Sequence, residues 1–299
     1  MRFMKYKIKK RKTLLLKEGA RQYLGAAKKA EPFLKWAGGK SQLLSQFQKY
    51  LLNDFNKYIE PFLGGGALFF HLYSTGRLEN KDIILIDSNK ELINCYKIIR
   101  DNVESLINTL MNNKFMNDEI TFYKIRGEEP VNSIEKAARM IYLNKTCFNG
   151  LYRVNQKGKF NAPFGKYANP LICDSENLKA VSVALQHVNL INADFEECLK
   201  YAKKNDFLYF DPPYHPISKT ANFTGYTANS FKEKDQQRLS RVLEELNKKK
   251  CKVMLSNSAN PIIEKLYKTF NIAYVKARRA INCNGLKRGK INELVVCNY

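Results

Sequence analysis

Histidine is scarce in these 299 residues: only His71, His187 and His215 are present, far apart in sequence. A histidine-based metal centre or a Ser-His-Asp triad has little to draw on. Seven cysteines occur, an odd count with no Cys-x-x-Cys spacing. A disulfide framework and a cysteine zinc site are therefore not expected, and reduced thiols in a cytosol are. No run of about 18 apolar residues exists, so no transmembrane helix is expected. Leu14-Leu15-Leu16 is too short for the apolar core of a secretory signal. Acidic residues are outnumbered too, with 28 Asp and Glu against 51 Lys and Arg, a net charge of +23.

What is present is a globular composition, 44% hydrophobic and 26% charged. The length allows one large domain or two small ones. The positive excess points to a polyanionic partner, nucleic acid first. Of the +23, the first 30 residues contribute +10, leaving +13 for the body of the chain. That N-terminal stretch reads as either a phosphate-touching arm or a poorly ordered tail.

From residue 31 the pattern becomes α/β. Tyr58-Ile59-Glu60 is a short strand candidate that runs into Gly64-Gly65-Gly66 and the apolar Ala67-Leu68-Phe69-Phe70. This reads as strand, glycine loop, helix. Ile83-Ile84-Leu85-Ile86 is a β-branched run ending at Asp87, as a buried parallel strand requires. Helical spacing of apolar residues follows from Asn89 to Leu110. Asp87 read alone could also be the N-cap of that helix.

Residues 110–185 change character. A helix near Ile134–Leu143 leads to a segment where aromatics, amides and cations interleave, with Asn155-Gln156-Lys157-Gly158-Lys159 as a hairpin turn. Such a segment suits a nucleic-acid surface. Alternation then resumes: Leu190–Ala193 ends at Asp194, Phe207–Phe210 at Asp211, and Lys252–Leu255 at Ser256-Asn257. Helices are expected near 233–249 and 260–269. Ile272–Val275 and Leu294–Val296 look like closing strands in an antiparallel hairpin.

Three strands thus end in a carboxylate, and in open α/β sheets ligands bind at the carboxyl ends of strands. Gly39-Lys40-Ser41 competes as a phosphate-binding loop. That motif needs a glycine at position 34, which is Leu34, and a preceding strand. Asp211-Pro212-Pro213-Tyr214 carries more. Two prolines stiffen the backbone and remove N–H donors. What remains is outward carbonyls, one carboxylate and one aromatic face, a set that fits an exocyclic amine on a planar base. Taken alone, the tetrapeptide is as readily a solvated turn.

Pro32–Lys40 (PFLKWAGGK), Glu60–Phe70 (EPFLGGGALFF), Ile86–Asn89, Phe148–Gly165 (FNGLYRVNQKGKFNAPFG) and Asp211–Tyr214 (DPPY) occur in that order. Together they resemble the Dam-like DNA adenine-N6 methyltransferases, GATC-modifying enzymes of the D12 class, from about residue 32 to the C-terminus. DPPY follows the glycine loop by 145 residues with the recognition region between them, the order of the α group of amino-methyltransferases. The resemblance implies a Rossmann-like S-adenosylmethionine-dependent sheet with helices on both faces. An inserted, mainly helical target-recognition domain with a β-hairpin goes with it. The expected division is a basic arm at 1–30, a catalytic domain from 31–95 and 186–299, and the inserted domain at 96–185.

The resemblance also implies roles. Trp36 and Lys40 would pack on S-adenosyl-L-methionine, Glu60, Gly64, Gly65 and Gly66 would line its methionine part, and Phe62 would also contact the cofactor. Asp87 would hold the ribose hydroxyls, with Asp194 and Phe195 bordering the cofactor's adenine. Asp211, Pro212, Pro213 and Tyr214 would hold the flipped target base, Asp211 also bordering the cofactor. Asp211 and the Pro212 carbonyl would accept from N6, and Tyr214 would stack. Direct in-line methyl transfer would leave S-adenosyl-L-homocysteine, with no covalent intermediate and no metal. Asn149, Leu151, Arg153, Asn155, Pro163 and Tyr167 would read bases. Arginine suits the O6/N7 edge of guanine, and Leu and Pro suit a thymine methyl. A phosphate contact is the lesser reading of Arg153, whereas Lys157 and Lys159 suit phosphates better. Arg288-Gly289-Lys290 resembles a family segment near DNA and takes no assigned role.

The expected partner is double-stranded DNA, bound by a monomer, with no membrane and with a cognate restriction endonuclease as a possible companion. The expected setting is a bacterial or phage-infected cytoplasm. The competing readings are cytosine-N4 transfer, RNA methylation and a silent DNA-binding regulator on the same fold. Asp211 at the head of its tetrapeptide favours adenine over cytosine. The hairpin disfavours RNA, and the intact set Asp87, Asp211, Pro212 and Tyr214 disfavours a silent copy.

Overall fold

The computed structural model describes residues 29–36, 38–214, 231–278 and 290–299. Most of the basic N-terminal stretch, His215, Cys283 and Arg288-Gly289 lie outside the described residues. One seven-stranded sheet runs in the order β3-β2-β1-β4-β5-β7-β6. Its strands are β1 (Lys57–Glu60), β2 (Asp82–Asp87), β3 (Val188–Asn192), β4 (Phe207–Phe210), β5 (Lys252–Ser258), β6 (Asn271–Arg278) and β7 (Lys290–Cys297). Strands β1 to β5 are parallel, and β7 is antiparallel to both β5 and β6. The closing pair is thus the antiparallel hairpin expected, but β7 inserts between β5 and β6.

Nine α-helices occur among the described residues: α1 (Leu44–Phe47), α2 (Ala67–Ser74), α3 (Lys90–Leu110), α4 (Glu119–Gly127), α5 (Ser133–Thr146), α6 (Ser175–Leu185), α7 (Cys198–Tyr201), α8 (Glu233–Lys248) and α9 (Pro261–Leu266). Both sheet faces are covered, which is why the strands read as continuous apolar runs. Tyr58, Leu85, Phe207 and Tyr209 point to one face, packing with α2, α3, α5 and α6. Ile59, Ile84, Ile86, Leu208 and Phe210 point to the other, packing with α7, α8 and α9. This period-2 split of adjacent residues between two cores makes a doubly covered, Rossmann-like sheet.

The expected boundary at residue 96 falls inside α3. Leu92, Tyr96 and Ile99 are buried with the sheet, and the same helix packs along α5 and α6 in one continuous core. The hairpin at 147–164 is slighter than expected. It consists of two isolated antiparallel bridges, Cys147 with Phe164 and Val154 with Phe160, around the turn where Gly158 N–H bonds to the Asn155 carbonyl. Between the bridges the two arms are joined by the Asn155 N–H to the Lys159 carbonyl and the Asn161 N–H to the Arg153 carbonyl, each at 2.9 Å.

Three local expectations change. Asn89, not Asp87, caps α3, accepting from the Leu92 N–H. β3 stops at Asn192, and Asp194 caps a short 3-10 turn at Phe195–Glu197 instead. β5 continues through Ser256, Asn257 and Ser258, all buried, because β7 pairs with it to that point.

Candidate active site

Strand order fixes where ligands converge. The chain fills one side of β1 with β2 and β3, then crosses to place β4 on its other side. At such a reversal the strand ends leave a crevice. Glu60 ends β1, Asp87 ends β2 and Asp211 follows β4, so three carboxylates meet at one edge.

Glu60 is 2% exposed and accepts a hydrogen bond from the Tyr58 hydroxyl at 2.9 Å. Burial pushes its carboxyl well above the usual range. The Tyr58 bond opposes this, and the charges of Asp211 and Asp87 add to it. Asp87 uses one oxygen for the Gly64 N–H at 2.9 Å and the other for the Asn89 N–H at 2.8 Å. Burial raises its pKa, and these two amide bonds restrain the rise. Each oxygen keeps a lone-pair direction for a further donor.

The glycine loop is shaped by Trp36. Gly64 adopts φ +48°, and a Cβ there would lie 2.8 Å from Cδ1 of Trp36. Trp36 in turn stacks on Tyr152, with ring centroids 5.4 Å apart and planes at 22°. The indole therefore bridges the glycine loop and the segment expected to read DNA. Gly66 caps α2 in a left-handed conformation.

Lys40 opens a 3-10 helix and is 3% exposed. Its ammonium lies 2.8 Å from Oδ1 of Asp211, donates to the Gly38 carbonyl, and sits 4.6 Å from the centroid of the Tyr214 ring. Gln46, just beyond, bonds both the N–H and the carbonyl of Lys276 on edge strand β6 and so tethers this segment. Burial raises Asp211 to about 6, with Lys40 pulling the other way. Tyr214 donates its hydroxyl to Oε2 of Glu293 at 2.5 Å. Burial, then Asp211 and Glu293, push the phenol well above its ordinary pKa.

The Pro213 carbonyl accepts from Nε2 of Gln236 at 3.1 Å, and Oε1 of Gln236 accepts from Asn257 at 3.1 Å. Both amides are fully buried. Asp194 stands apart, half exposed, held by Arg238 at 2.8 Å. That guanidinium also lies 4.8 Å above the Phe195 ring. Phe195 stacks on Phe62 with centroids 5.2 Å apart, and Phe231 packs edge-on against both.

Along the hairpin segment, Arg153 is exposed and gives Nε to the Asn161 side chain at 2.7 Å and Nη2 to its carbonyl at 3.0 Å. Asn155 accepts from the Lys157 and Lys159 N–H groups, and Lys159 pairs with Glu129 at 2.6 Å. Asn149 takes φ +58°, and the Pro163 carbonyl accepts from the Phe148 N–H. Leu151 is half-buried. Lys35 lies over the Tyr167 ring at 4.9 Å. Asn144 ties this segment to the 32–36 stretch: it accepts from the Lys35 N–H, donates to the Lys35 carbonyl, and donates to the Gly150 carbonyl.

Residues 36–281 match the family model described as D12 class N6 adenine-specific DNA methyltransferase. The chain belongs to that family. A Type II methyltransferase, M.MjaIII, of Methanocaldococcus jannaschii is 45% identical over 288 residues, covering 90% of this chain and 99% of that protein. A second Type II methyltransferase, M1.LlaDCHI of Lactococcus lactis subsp. cremoris, is 42% identical over 90% of this chain and 95% of its own length. The DNA adenine methylase of Serratia marcescens is 35% identical, covering 90% of this chain and 98% of that one. This D12-class chain is thus an adenine-specific DNA methyltransferase, with DNA as its substrate. No described helix is long and apolar enough to cross a membrane. Among the described residues no group of three or more His, Cys, Asp or Glu is placed to hold a metal ion.

The structure brings Trp36, Lys40, Glu60, Gly64, Gly65, Gly66, Asp87, Asp211 and Tyr214 to one side of the sheet. Phe62, Asp194 and Phe195 gather around Arg238 beside it. Glu293, Gln236, Asn144 and Arg238 were not singled out from the sequence. Each contacts a motif residue from a distant element, and no local spacing marks it.

Proposed function

We propose that this chain moves a methyl group from S-adenosylmethionine to N6 of a flipped-out adenine in duplex DNA, within GATC. One observation carries the reading. A nitrogen donor, the Lys40 ammonium, rests on the Asp211 carboxylate and over the Tyr214 ring. The reading assigns that same combination of acceptor and aromatic face to the exocyclic amine of the base.

The residues present fit the cofactor. Glu60, Asp87 and Asp211 converge at the strand ends, close enough that the charges of the two aspartates act on Glu60, and such a lining suits a cation. Gly64 leaves space only because it lacks a Cβ against Trp36. Asp87 would hold the ribose hydroxyls, Glu60 and the glycine loop the methionine part, and Asp194 and Phe195 the adenine edge. When bound, S-adenosylmethionine supplies an electrophilic methyl group on a sulfonium.

This chain's own work is positioning and electrostatics. The base leaves the stack at a cost of a few kcal/mol. Asp211 and the Pro212 carbonyl accept from the two N6–H groups, which makes the nitrogen lone pair more available. Tyr214 holds the ring plane. Asn149, Leu151, Arg153, Asn155, Pro163 and Tyr167 read the flanking bases from the 96–185 region. The chain acts as a monomer, and the Type II naming of two relatives supports a partner restriction endonuclease.

The test uses radiolabelled S-adenosylmethionine and duplexes that contain or lack GATC, followed by digestion and identification of the labelled nucleoside. N6-methyladenine from GATC duplexes alone is expected. N6-methyladenine from duplexes lacking GATC would overturn the site assignment. Failure of the labelled cofactor to donate would overturn the cofactor.

A further inference from the structure

Tyr214 is held from a strand the tetrapeptide never meets in sequence. Glu293 lies on β7, is 7% exposed, and is paired in register with Ser258 of β5 and Val275 of β6. A carboxylate so placed needs a partner. Its Oε2 takes the Tyr214 hydroxyl at 2.5 Å. The ring is then fixed at its far end by β7, at its backbone by the Asp211–Tyr214 turn, and covered on one face by the Lys40 ammonium. The Pro213 carbonyl on the same turn is pinned by Gln236. A phenol otherwise swings about two side-chain torsions, and a stacking platform that swings cannot set the height or tilt of a base.

We infer that Glu293 is a positioning residue for methyl transfer, acting through the Tyr214 hydroxyl to hold that ring as the stacking platform for the target adenine. The inference rests on the assignment of Tyr214 as the stacking face. In this role Glu293 acts on the Tyr214 hydroxyl and through it on the ring. Its work is to exchange a mobile aromatic for a fixed one, using β7, a strand that pairs on both of its edges. The bond to a carboxylate also enriches the ring in electron density, which strengthens its hold on a base that becomes cationic as the methyl group arrives.

The test is a double-mutant cycle on Glu293→Leu and Tyr214→Phe, with Glu293→Gln as the conservative variant. Initial rates are measured over duplex and S-adenosylmethionine concentration. Target adenine is replaced by 2-aminopurine in a parallel series that reports base stacking by fluorescence. Glu293→Leu should lower kcat about 10- to 100-fold with KM for both substrates within about twofold. Tyr214→Phe should do the same, and the double variant should lose no more than either one. Glu293→Gln keeps an acceptor at the same place and should retain kcat within about threefold. The 2-aminopurine emission should rise in both single variants as the ring loosens.

Multiplicative losses in the double variant, or a wild-type kcat for Tyr214→Phe, would overturn the role. A loss in Glu293→Gln equal to that in Glu293→Leu would overturn it as well. If Glu293→Leu does not fold, by its melting curve, Tyr214→Phe and Glu293→Gln still decide the question. The reading beneath has its own control: no change of 2-aminopurine emission on binding to wild type or to any of the variants would sink base flipping onto Tyr214, whatever the rates do.

Discussion

The ammonium of Lys40 and the carboxylate of Asp211 form a 2.8 Å ion pair inside the crevice, with the lysine 3% exposed. The acid expected to face the base is therefore held ionised by a neighbour that burial alone would not supply. Asp211 sits at about 6, above an ordinary aspartate, because desolvation outweighs that neighbour.

From this follows a pH limb. An ionised Asp211 accepts from an amine and a protonated one does not, so kcat/KM should fall below about pH 6. Lys40→Met removes the charge that lowers Asp211, so the limb should move to higher pH. Activity at pH 8 should then recover relative to pH 6.5. A limb that stays in place in Lys40→Met would contradict the pairing.

Glu60 should reduce stability where it sits. Its folded pKa is raised, so the folded state binds the proton more tightly than the unfolded chain does. Its contribution to stability is then lost as pH rises from the ordinary carboxylate value through the folded one. Glu60→Gln keeps an oxygen for the Tyr58 hydroxyl and sheds the charge. The variant should melt higher than wild type, by about 2–4 °C for each kcal/mol, with the gap widening as pH rises from about 4. Affinity for S-adenosylmethionine, followed by calorimetry, should fall at the same time.

Gln236→Leu strips the Pro213 carbonyl and the Asn257 amide of a buried partner. The expected cost is about 1–3 kcal/mol in urea unfolding. Because the same bond holds the Asp211–Tyr214 turn, on the proposed reading kcat should drop about tenfold while duplex affinity changes little. Equal losses in both would place Gln236 outside the turn's control.

Arg153 is braced by Asn161 before any DNA arrives. Arg153→Ala should cost about 1–3 kcal/mol at one base pair and leave other positions unchanged. Asn161→Ala should produce a smaller loss at the same base, since it frees the guanidinium without removing it. Competition binding with single-substituted duplexes measures both. A uniform loss on all sequences would make Arg153 a phosphate contact.

Much of the fold is legible because burial on two faces writes itself into the strands. Ile83–Ile86 and Phe207–Phe210 have no polar alternation and end in carboxylates, so strand, end and ligand group are read together. The glycine loop, Asp87 and the Asp211–Tyr214 turn were legible for the same local reason. What hides is long-range pairing. Glu293 reaches Tyr214 across 79 residues, and only the insertion of β7 beside β5 brings it there. Lys40 sits in a Gly-Lys-Ser string that locally resembles a phosphate loop, and nothing near it in sequence points to Asp211. Asp87 seemed free to cap α3, yet Asn89 two residues on does so and leaves Asp87 for the Gly64 amide.

Asn144 clamps both backbone groups of Lys35 and the carbonyl of Gly150 with a single amide. On the proposed reading, this one side chain joins the reader of the target to the holder of the cofactor. Inheritance of a new target sequence is then channelled. Changes at 151–163 alter what is read, whereas changes at 144 or 150 disturb cofactor binding in the same stroke. Descendants of this chain should therefore diversify their recognition in a short window and keep its hinge point unaltered.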